Sequence, residues 1–267
     1  MDFDDVNRRG LAILGCGKMG SAMLAGWLGR GLSPAAVHVS DPKPSDWLKS
    51  TGVALNGPMP EAPAALVVAV KPQVMAEALP GAADLGGGGT VIVSIAAGTP
   101  IATLEAAFGP GTPIVRAMPN TPAAIGRGIT GIVGNAAAGE ADLALAEGLL
   151  SAVGRVVRLD TEDQIDAVTG LSGSGPAYVF HLIECLAAAG EAEGLAPDLA
   201  MELAVTTVAG AGALAEQSGE TAEQLRINVT SPNGTTQAGL EVLMADLPDL
   251  ARRTVAAATA RAKELRQ

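Results

Sequence analysis

A glycine-rich turn constrains this chain more than any other feature. Gly15-Cys16-Gly17-Lys18-Met19-Gly20 stands directly behind the apolar run Leu11-Ala12-Ile13-Leu14 and directly ahead of a helical stretch that reaches about residue 28. In a strand–turn–helix of this kind the first glycine permits the tight turn. The second lets a pyrophosphate come close to backbone, and the third lets helix and strand pack. The phosphates then rest against the free N–H groups and the positive dipole end of the helix. The pattern predicts a dinucleotide held by Gly15, Cys16, Gly17, Lys18, Met19 and Gly20.

The surrounding chain fits such a site. Short apolar runs at 37–40, 66–70, 91–95, 113–116, 131–133 and 155–159 alternate with helical stretches over the first 160 residues. The first of these runs show little polar alternation, as expected where helices cover both faces of a parallel sheet. Alternating β and α elements predict a Rossmann-type, doubly wound α/β sheet over residues 1–160. The character then changes: 176–194, 197–217, 221–227, 235–244 and 247–267 all read as helices, so residues 161–267 form an all-α domain. Within 197–217, Ala204-Val205, Val208-Ala209 and Gly212-Ala213 leave little polar surface on several sides. A helix apolar nearly all round must be buried, and so short a helical domain has limited surface for burying it. The expectation is dimerisation through this half.

Composition removes several other classes. A formal charge of −11 and so few rings (Trp 2, Tyr 1, Phe 3) argue against nucleic-acid binding, which calls for a basic stripe and stacking side chains. Cys16 and Cys185 cannot make a disulfide framework, and no His/Cys/Asp/Glu group has metal-ligand spacing. The start, Met1-Asp2-Phe3-Asp4-Asp5, is acidic where a signal peptide is basic and then apolar. Each apolar run is interrupted by Gly, Thr or charge before the roughly 18–20 residues of a membrane span. The expected setting is cytoplasmic, with no membrane partner.

The identity of the dinucleotide is open at this level. Asp41 follows the second strand about 20 residues beyond Gly20, where an acid accepts from the ribose 2′-OH of NAD. Ser40 and Lys43 flank it, and either suits the 2′-phosphate of NADP; alternatively Asp41 only starts the Asp41-Pro42 turn.

Three further segments carry candidate chemistry. Arg116-Ala117-Met118-Pro119-Asn120-Thr121-Pro122 follows the fifth strand, at the sheet edge where open α/β folds bind ligands, or is a Pro-rigidified connection. Ser172-Gly173-Ser174-Gly175-Pro176-Ala177-Tyr178 and Thr230-Ser231-Pro232-Asn233-Gly234-Thr235-Thr236 each put hydroxyls and small residues before a helix. Either could be an N-cap. The second also offers several N–H groups and two adjacent threonines, a cradle for a carboxylate.

Taken in order, these stretches resemble the pyrroline-5-carboxylate reductase family, together with Ala69-Val70-Lys71-Pro72 and the residues from Asn228 to Gly239. The resemblance implies a Rossmann domain, a helical dimerisation and substrate-binding domain, and NAD(P)H-dependent reduction of Δ1-pyrroline-5-carboxylate to L-proline. It implies NADPH as cofactor, with NADH possible, and dimers that assemble further, often into decamers. By the same resemblance Asn56 contacts the adenosine side, Ala69, Val70, Lys71, Pro72, Ala96 and Ala97 line the dinucleotide, and Asn228 reaches it from the helical domain. Glu162 lies near the substrate, Thr235 and Thr236 form the substrate-binding pair, and Ser231, Pro232, Asn233 and Gly234 present donors to the carboxylate. Asn233 stands where the family has glycine; Asn tolerates the left-handed conformation that such a loop needs.

Thr236 is the expected hydrogen-bond donor to the imine nitrogen, with Glu162 the alternative proton source or a carboxylate that stabilises the iminium. His38 and His181 read as structural, and Cys16 as open to oxidation within the phosphate loop. Two rival readings are a dehydrogenase of small hydroxy acids, for which no convincing Lys or His is found on the helical half, and a non-catalytic dinucleotide-binding protein.

Overall fold

A computed structural model describes residues 3–266. Eight strands run β1 (Leu11–Leu14), β2 (Val37–Ser40), β3 (Ala54–Leu55), β4 (Ala65–Val68), β5 (Val91–Ser94), β6 (Ile114–Met118), β7 (Gly128–Gly134) and β8 (Gly154–Arg158). The helix α1 (Asp4–Arg9) precedes them, and between them lie α2 (Lys18–Gly29), α3 (Asp46–Ser50), α4 (Met75–Ala78), α5 (Ile101–Phe108) and α6 (Glu140–Leu150). The chain continues through α7 (Gln164–Val168), α8 (Gly175–Ala192), α9 (Pro197–Gln217), α10 (Ala222–Asn228) and α11 (Thr235–Leu265).

The strands form one sheet in the order β3-β2-β1-β4-β5-β6-β7-β8. The order reverses between β1 and β4, which makes the carboxyl ends of those two strands the place where ligands bind in open α/β sheets. β1 to β6 are parallel as expected, but β7 pairs antiparallel with β6, and β8 runs parallel to β7. The doubly wound plan thus holds, with a sheet that is mixed at this edge. The 119–127 link between β6 and β7 is shorter than the dozen or so residues a parallel crossover needs.

Side-chain alternation along each strand divides the core. Leu11, Ile13, Val37, Val39, Val67 and Val93 face α2 and α6, where Met23, Leu24, Trp27 and Leu149 fill one cluster. Ala12, Leu14, Leu66, Val68, Ile92 and Ile114 face the other way, onto Met75, Leu79, Leu104 and Phe108. Both faces are apolar, which explains why β1 and β4 read as unbroken hydrophobic runs. Trp27 is wholly buried, and its indole N–H donates to the Leu149 carbonyl (2.7 Å), so its one polar atom is satisfied.

By packing, the chain divides after Gly173, later than the change of element type near residue 160, and the residues from Ala258 onward pack with the first unit. In the second unit, Ser174–Ala257, α8 and α9 meet through small side chains. Ala187, Ala200 and Ala204 are buried, and a Cβ on Gly190 would lie 3.3 Å from that of Ala200. Much of the rest of this unit is uncovered and apolar, including Phe180, Leu203, Leu214, Val242 and Met244.

Two expectations are corrected here. The helices expected at 235–244 and 247–267 are one, α11, which continues through Pro248. Proline lacks an N–H and clashes with the carbonyl four residues back; here one bond is lost but the helix is not broken. α9, 21 residues long, is also apolar and long enough to cross a membrane by length and composition, although its interrupted runs suggested otherwise.

Candidate active site

The three glycines after β1 meet three different physical demands. Gly15 has φ +82°, and a Cβ there would lie 2.7 Å from Val70 Cγ1 and 3.1 Å from the Val70 nitrogen. A Cβ on Gly20 would lie 3.1 Å from the Gly15 carbonyl oxygen, so it packs the helix onto the turn. A Cβ on Gly17 would meet nothing within 4 Å. That open position is what close approach of a phosphate requires. Gly17 is also the N-cap of α2 and has no side chain to satisfy its first N–H groups. The cradle therefore fits a dinucleotide pyrophosphate.

Around the cradle the backbone is tightly tied. Gly15 N–H donates to Ser40 O (2.8 Å) and Ala69 N–H to Leu14 O (2.8 Å), bringing the ends of β1, β2 and β4 together. Asp41 is occupied at both oxygens: Oδ2 accepts from Cys16 N–H (2.7 Å) and Oδ1 from Lys43 N–H (2.7 Å). Its own N–H donates to Asn56 Oδ1 (2.8 Å), and Asn56 adopts φ +53° to make that contact. Ser40 is half-buried, and Lys43 and Lys71 are exposed. A cleft of about 930 Å³ opens beyond these residues, lined among others by Ser40, Pro42, Asn56, Met59, Val70 and Val74. Burial pushes the Cys16 thiol up from its ordinary range, and the charge of Asp41 adds to this against a hydrogen bond with Ser21. The thiolate, the form that reacts with oxidants, is thus disfavoured.

Glu162 is fastened at Oε1, which accepts from Ile101 N–H at the start of α5 (2.8 Å) and from Arg116 Nη1 (2.5 Å). Arg116 is only 3% exposed, a guanidinium projecting from the apolar strand β6. Sequence reading named Arg116 only within its segment. The signal was a cation in the middle of Ile114-Val115-Arg116-Ala117-Met118, which is stable only beside a carboxylate. Further along, Asn120 holds two backbones, donating to Ser172 O (3.1 Å) and accepting from Ile129 N–H (2.9 Å). Ser172 Oγ donates back to Val168 O (3.0 Å), and Ser174, the N-cap of α8, makes no side-chain cap bond. The hydroxyls of this segment thus do not serve as the expected caps.

The remaining site residues lie in the second unit. Asn233 adopts φ +57°, as the loop was expected to need, and its N–H donates to Gln237 Oε1 (2.8 Å). Gly234 N–H donates to Ser231 O (3.0 Å), closing a turn that leads into α11, where Thr235 and Thr236 are exposed. The Asn228 amide is engaged at both ends, donating to Glu220 (2.8 Å) and accepting from Gln224 (2.7 Å). His181 is exposed on α8, with Nδ1 2.9 Å from Glu184 Oε2 and Nε2 3.6 Å from Cys185 Sγ. His38 is half-buried in β2.

Comparison with known proteins finds matches over both parts of the chain. Residues 162–265 match the family model described as pyrroline-5-carboxylate reductase dimerisation, and residues 10–98 match the one described as NADP oxidoreductase coenzyme F420-dependent. The pyrroline-5-carboxylate reductase of Pseudomonas aeruginosa is 39% identical over 262 residues, covering 96% of each chain. That of Arabidopsis thaliana is 36% identical, covering 96% of this chain and 95% of its own. Among solved structures, a pyrroline-5-carboxylate reductase from Coxiella burnetii superposes with a TM-score of 0.91 at 33% identity, covering 97% and 99% of the two chains. The Plasmodium falciparum pyrroline carboxylate reductase with NADP bound gives 0.83 at 26% identity, covering 98% and 100%.

Proposed function

Because this chain belongs to the pyrroline-5-carboxylate reductase family and is an NADP-binding oxidoreductase, we propose how its residues divide the reduction of Δ1-pyrroline-5-carboxylate to L-proline. Gly15 to Gly20 hold the pyrophosphate, and the observation that carries this is the open space at Gly17 between two close-packed glycines. Ser40 and Lys43 bind the 2′-phosphate. Asp41 does not serve the ribose: with both oxygens on backbone amides it shapes the phosphate loop. Asn56 holds Asp41 and lines the adenosine cleft, while Ala69, Val70, Lys71, Pro72, Ala96 and Ala97 line the rest of the dinucleotide. When bound, the reduced dinucleotide supplies the hydride that the imine carbon receives.

On the substrate side, Ser231, Pro232, Asn233, Gly234 and Thr235 take the carboxylate, using N–H groups at the start of a helix. The Thr236 hydroxyl orients the imine nitrogen and relays a proton to it from solvent. Glu162 positions rather than protonates, because its Oε1 is already held by Arg116 and α5.

Initial rates with pyrroline-5-carboxylate test this division. Wild-type enzyme is expected to form proline and to prefer NADPH to NADH; cofactor binding without turnover would leave a non-catalytic dinucleotide binder. Thr236→Ala should lower kcat/KM by about 100-fold, and unchanged turnover and KM would remove its role.

The cofactor assignment has its own signature. Asp41→Asn keeps one acceptor and loses the other, so KM should rise alike for NADPH and NADH. Lys43→Ala should weaken NADPH alone, by roughly tenfold, as expected for a charged contact to phosphate. If Asp41→Asn instead impairs NADH selectively, Asp41 serves the ribose.

Self-association through residues 162–265 follows from the dimerisation family. In our reading α9 is covered by a second copy rather than by a bilayer, and the dimers assemble further into a decamer of a cytoplasmic enzyme. The mass by light scattering in detergent-free buffer reads this directly, and a monomer would overturn it.

A further inference from the structure

The residue that follows α11 is an arginine that the reaction scheme does not use. Arg266 Nη1 donates to Asp163 Oδ1 (2.7 Å), and Nη2 lies 3.4 Å from Asp166 Oδ2. Asp166 is 1% exposed, and Oδ2 is the one buried side-chain atom without a hydrogen-bond partner among the described residues. A buried carboxylate so placed depends on the nearest cation, and that cation is Arg266.

The same corner of the first unit holds the loop that follows β5. Gly98 has φ +74°, and a Cβ on it would lie 3.3 Å from the Leu265 carbonyl oxygen, so the last turn of α11 sits directly against Ala96-Ala97-Gly98. The loop leads into α5, whose first N–H is held by Glu162, one residue before Asp163. The short acidic segment Glu162-Asp163-Gln164-Ile165-Asp166 thus receives Arg116 from β6, the start of α5 and Arg266 from just beyond α11.

We propose that Arg266 is a positioning residue for the cofactor: by pairing with Asp163 and Asp166 it seats the last turn of α11 against Ala96-Ala97-Gly98 and fixes the loop that lines the dinucleotide. The proposal rests on the reading of Ala96 and Ala97 as cofactor-lining. It assigns Arg266 no contact with substrate or cofactor.

The test is NADPH affinity by fluorescence titration, alongside Tm, in four variants of the full-length enzyme. Arg266→Met should weaken NADPH binding by about tenfold and lower Tm. Arg266→Lys keeps a cation near Asp166 but loses the fork that serves two carboxylates, and should recover most of the affinity. The double variant Asp166→Asn/Arg266→Met removes the unpaired buried charge, so it should regain Tm without regaining affinity, because nothing then ties α11 down. A purely structural arginine would lower Tm and leave affinity within about twofold, and that result overturns the proposal. Ala97→Leu, which adds bulk at an exposed loop position, separates the two layers. If it weakens NADPH binding while Arg266→Met does not, the arginine's role fails. If Ala97→Leu itself has no effect, the loop does not line the cofactor and the proposal falls with that premise.

Discussion

Gly15→Ala is expected to abolish useful NADPH binding and to destabilise the fold, whereas Gly17→Ala should weaken binding with no change in Tm. At Gly15 the backbone sits at φ +82°, which costs an L-residue roughly 1–2 kcal/mol. The new methyl would also lie 2.7 Å from Val70 Cγ1 and 3.1 Å from the Val70 nitrogen. Val70 is β-branched and stiff at χ1, so relief requires β4's exit to move away from the turn. That exit is tied in turn to Leu14 through the Ala69 N–H. The strain therefore reaches the phosphate loop itself, and NADPH affinity should fall at least about 30-fold, with total destabilisation of roughly 1–3 kcal/mol. A methyl on Gly17 meets no protein atom within 4 Å. Its only effect is on what approaches from outside, so the Gly17 variant should fold like the parent and bind NADPH worse. Titration and thermal melting of the pair separate the cradle's folding role from its binding role. Equal Tm losses for both, or full NADPH affinity for Gly17→Ala, would contradict this account of the loop.

That contrast shows why the cofactor half could be read so far from sequence alone. The apolar runs of β1, β2 and β4 and the spacing of Gly15, Gly17 and Gly20 are local patterns with one good structural solution. Features that depend on long-range pairing were not readable in this way. β3, two residues long, has too little sequence to carry a period. The reversal at β7 left a trace only in the length of the preceding link. The two helices expected at 235–244 and 247–267 are one, because the N–H missing at Pro248 does not outweigh the surrounding helical bonds. The acid after β2 suits a ribose ligand by position and equally the start of the Asp41-Pro42 turn; the two backbone amides it accepts from, Cys16 and Lys43, are contacts that position alone does not show. Arg266 lies a hundred residues from its partners, with nothing near it to announce them.

Glu162→Gln is the variant that decides whether this carboxylate moves a proton or holds the frame, and we expect it to keep turnover within a few fold of the parent. Gln retains an oxygen that can accept from Ile101 N–H and Arg116, so the geometry of α5 and β6 survives. What it loses is the charge facing a guanidinium that is 3% exposed. Hydrogen bonds to charged groups contribute about 1.5–3 kcal/mol, so the cost should appear in Tm. Glu162→Ala goes further, leaving Arg116 buried without its partner and α5 without an acceptor at its first N–H. Breaking a buried pair in this way costs about 3–5 kcal/mol, which should also disorder the approach to α5 and raise KM for NADPH. If Glu162 were instead the proton source, Gln and Ala would be equally inactive, each down by about 100-fold or more in kcat, with the same Tm cost from the Arg116 pair. The kcat of the Gln variant thus decides between the two accounts. Arg116→Met, which removes the cation and leaves a carboxylate still 28% exposed, should be milder than Glu162→Ala, because the charge left behind can reach water.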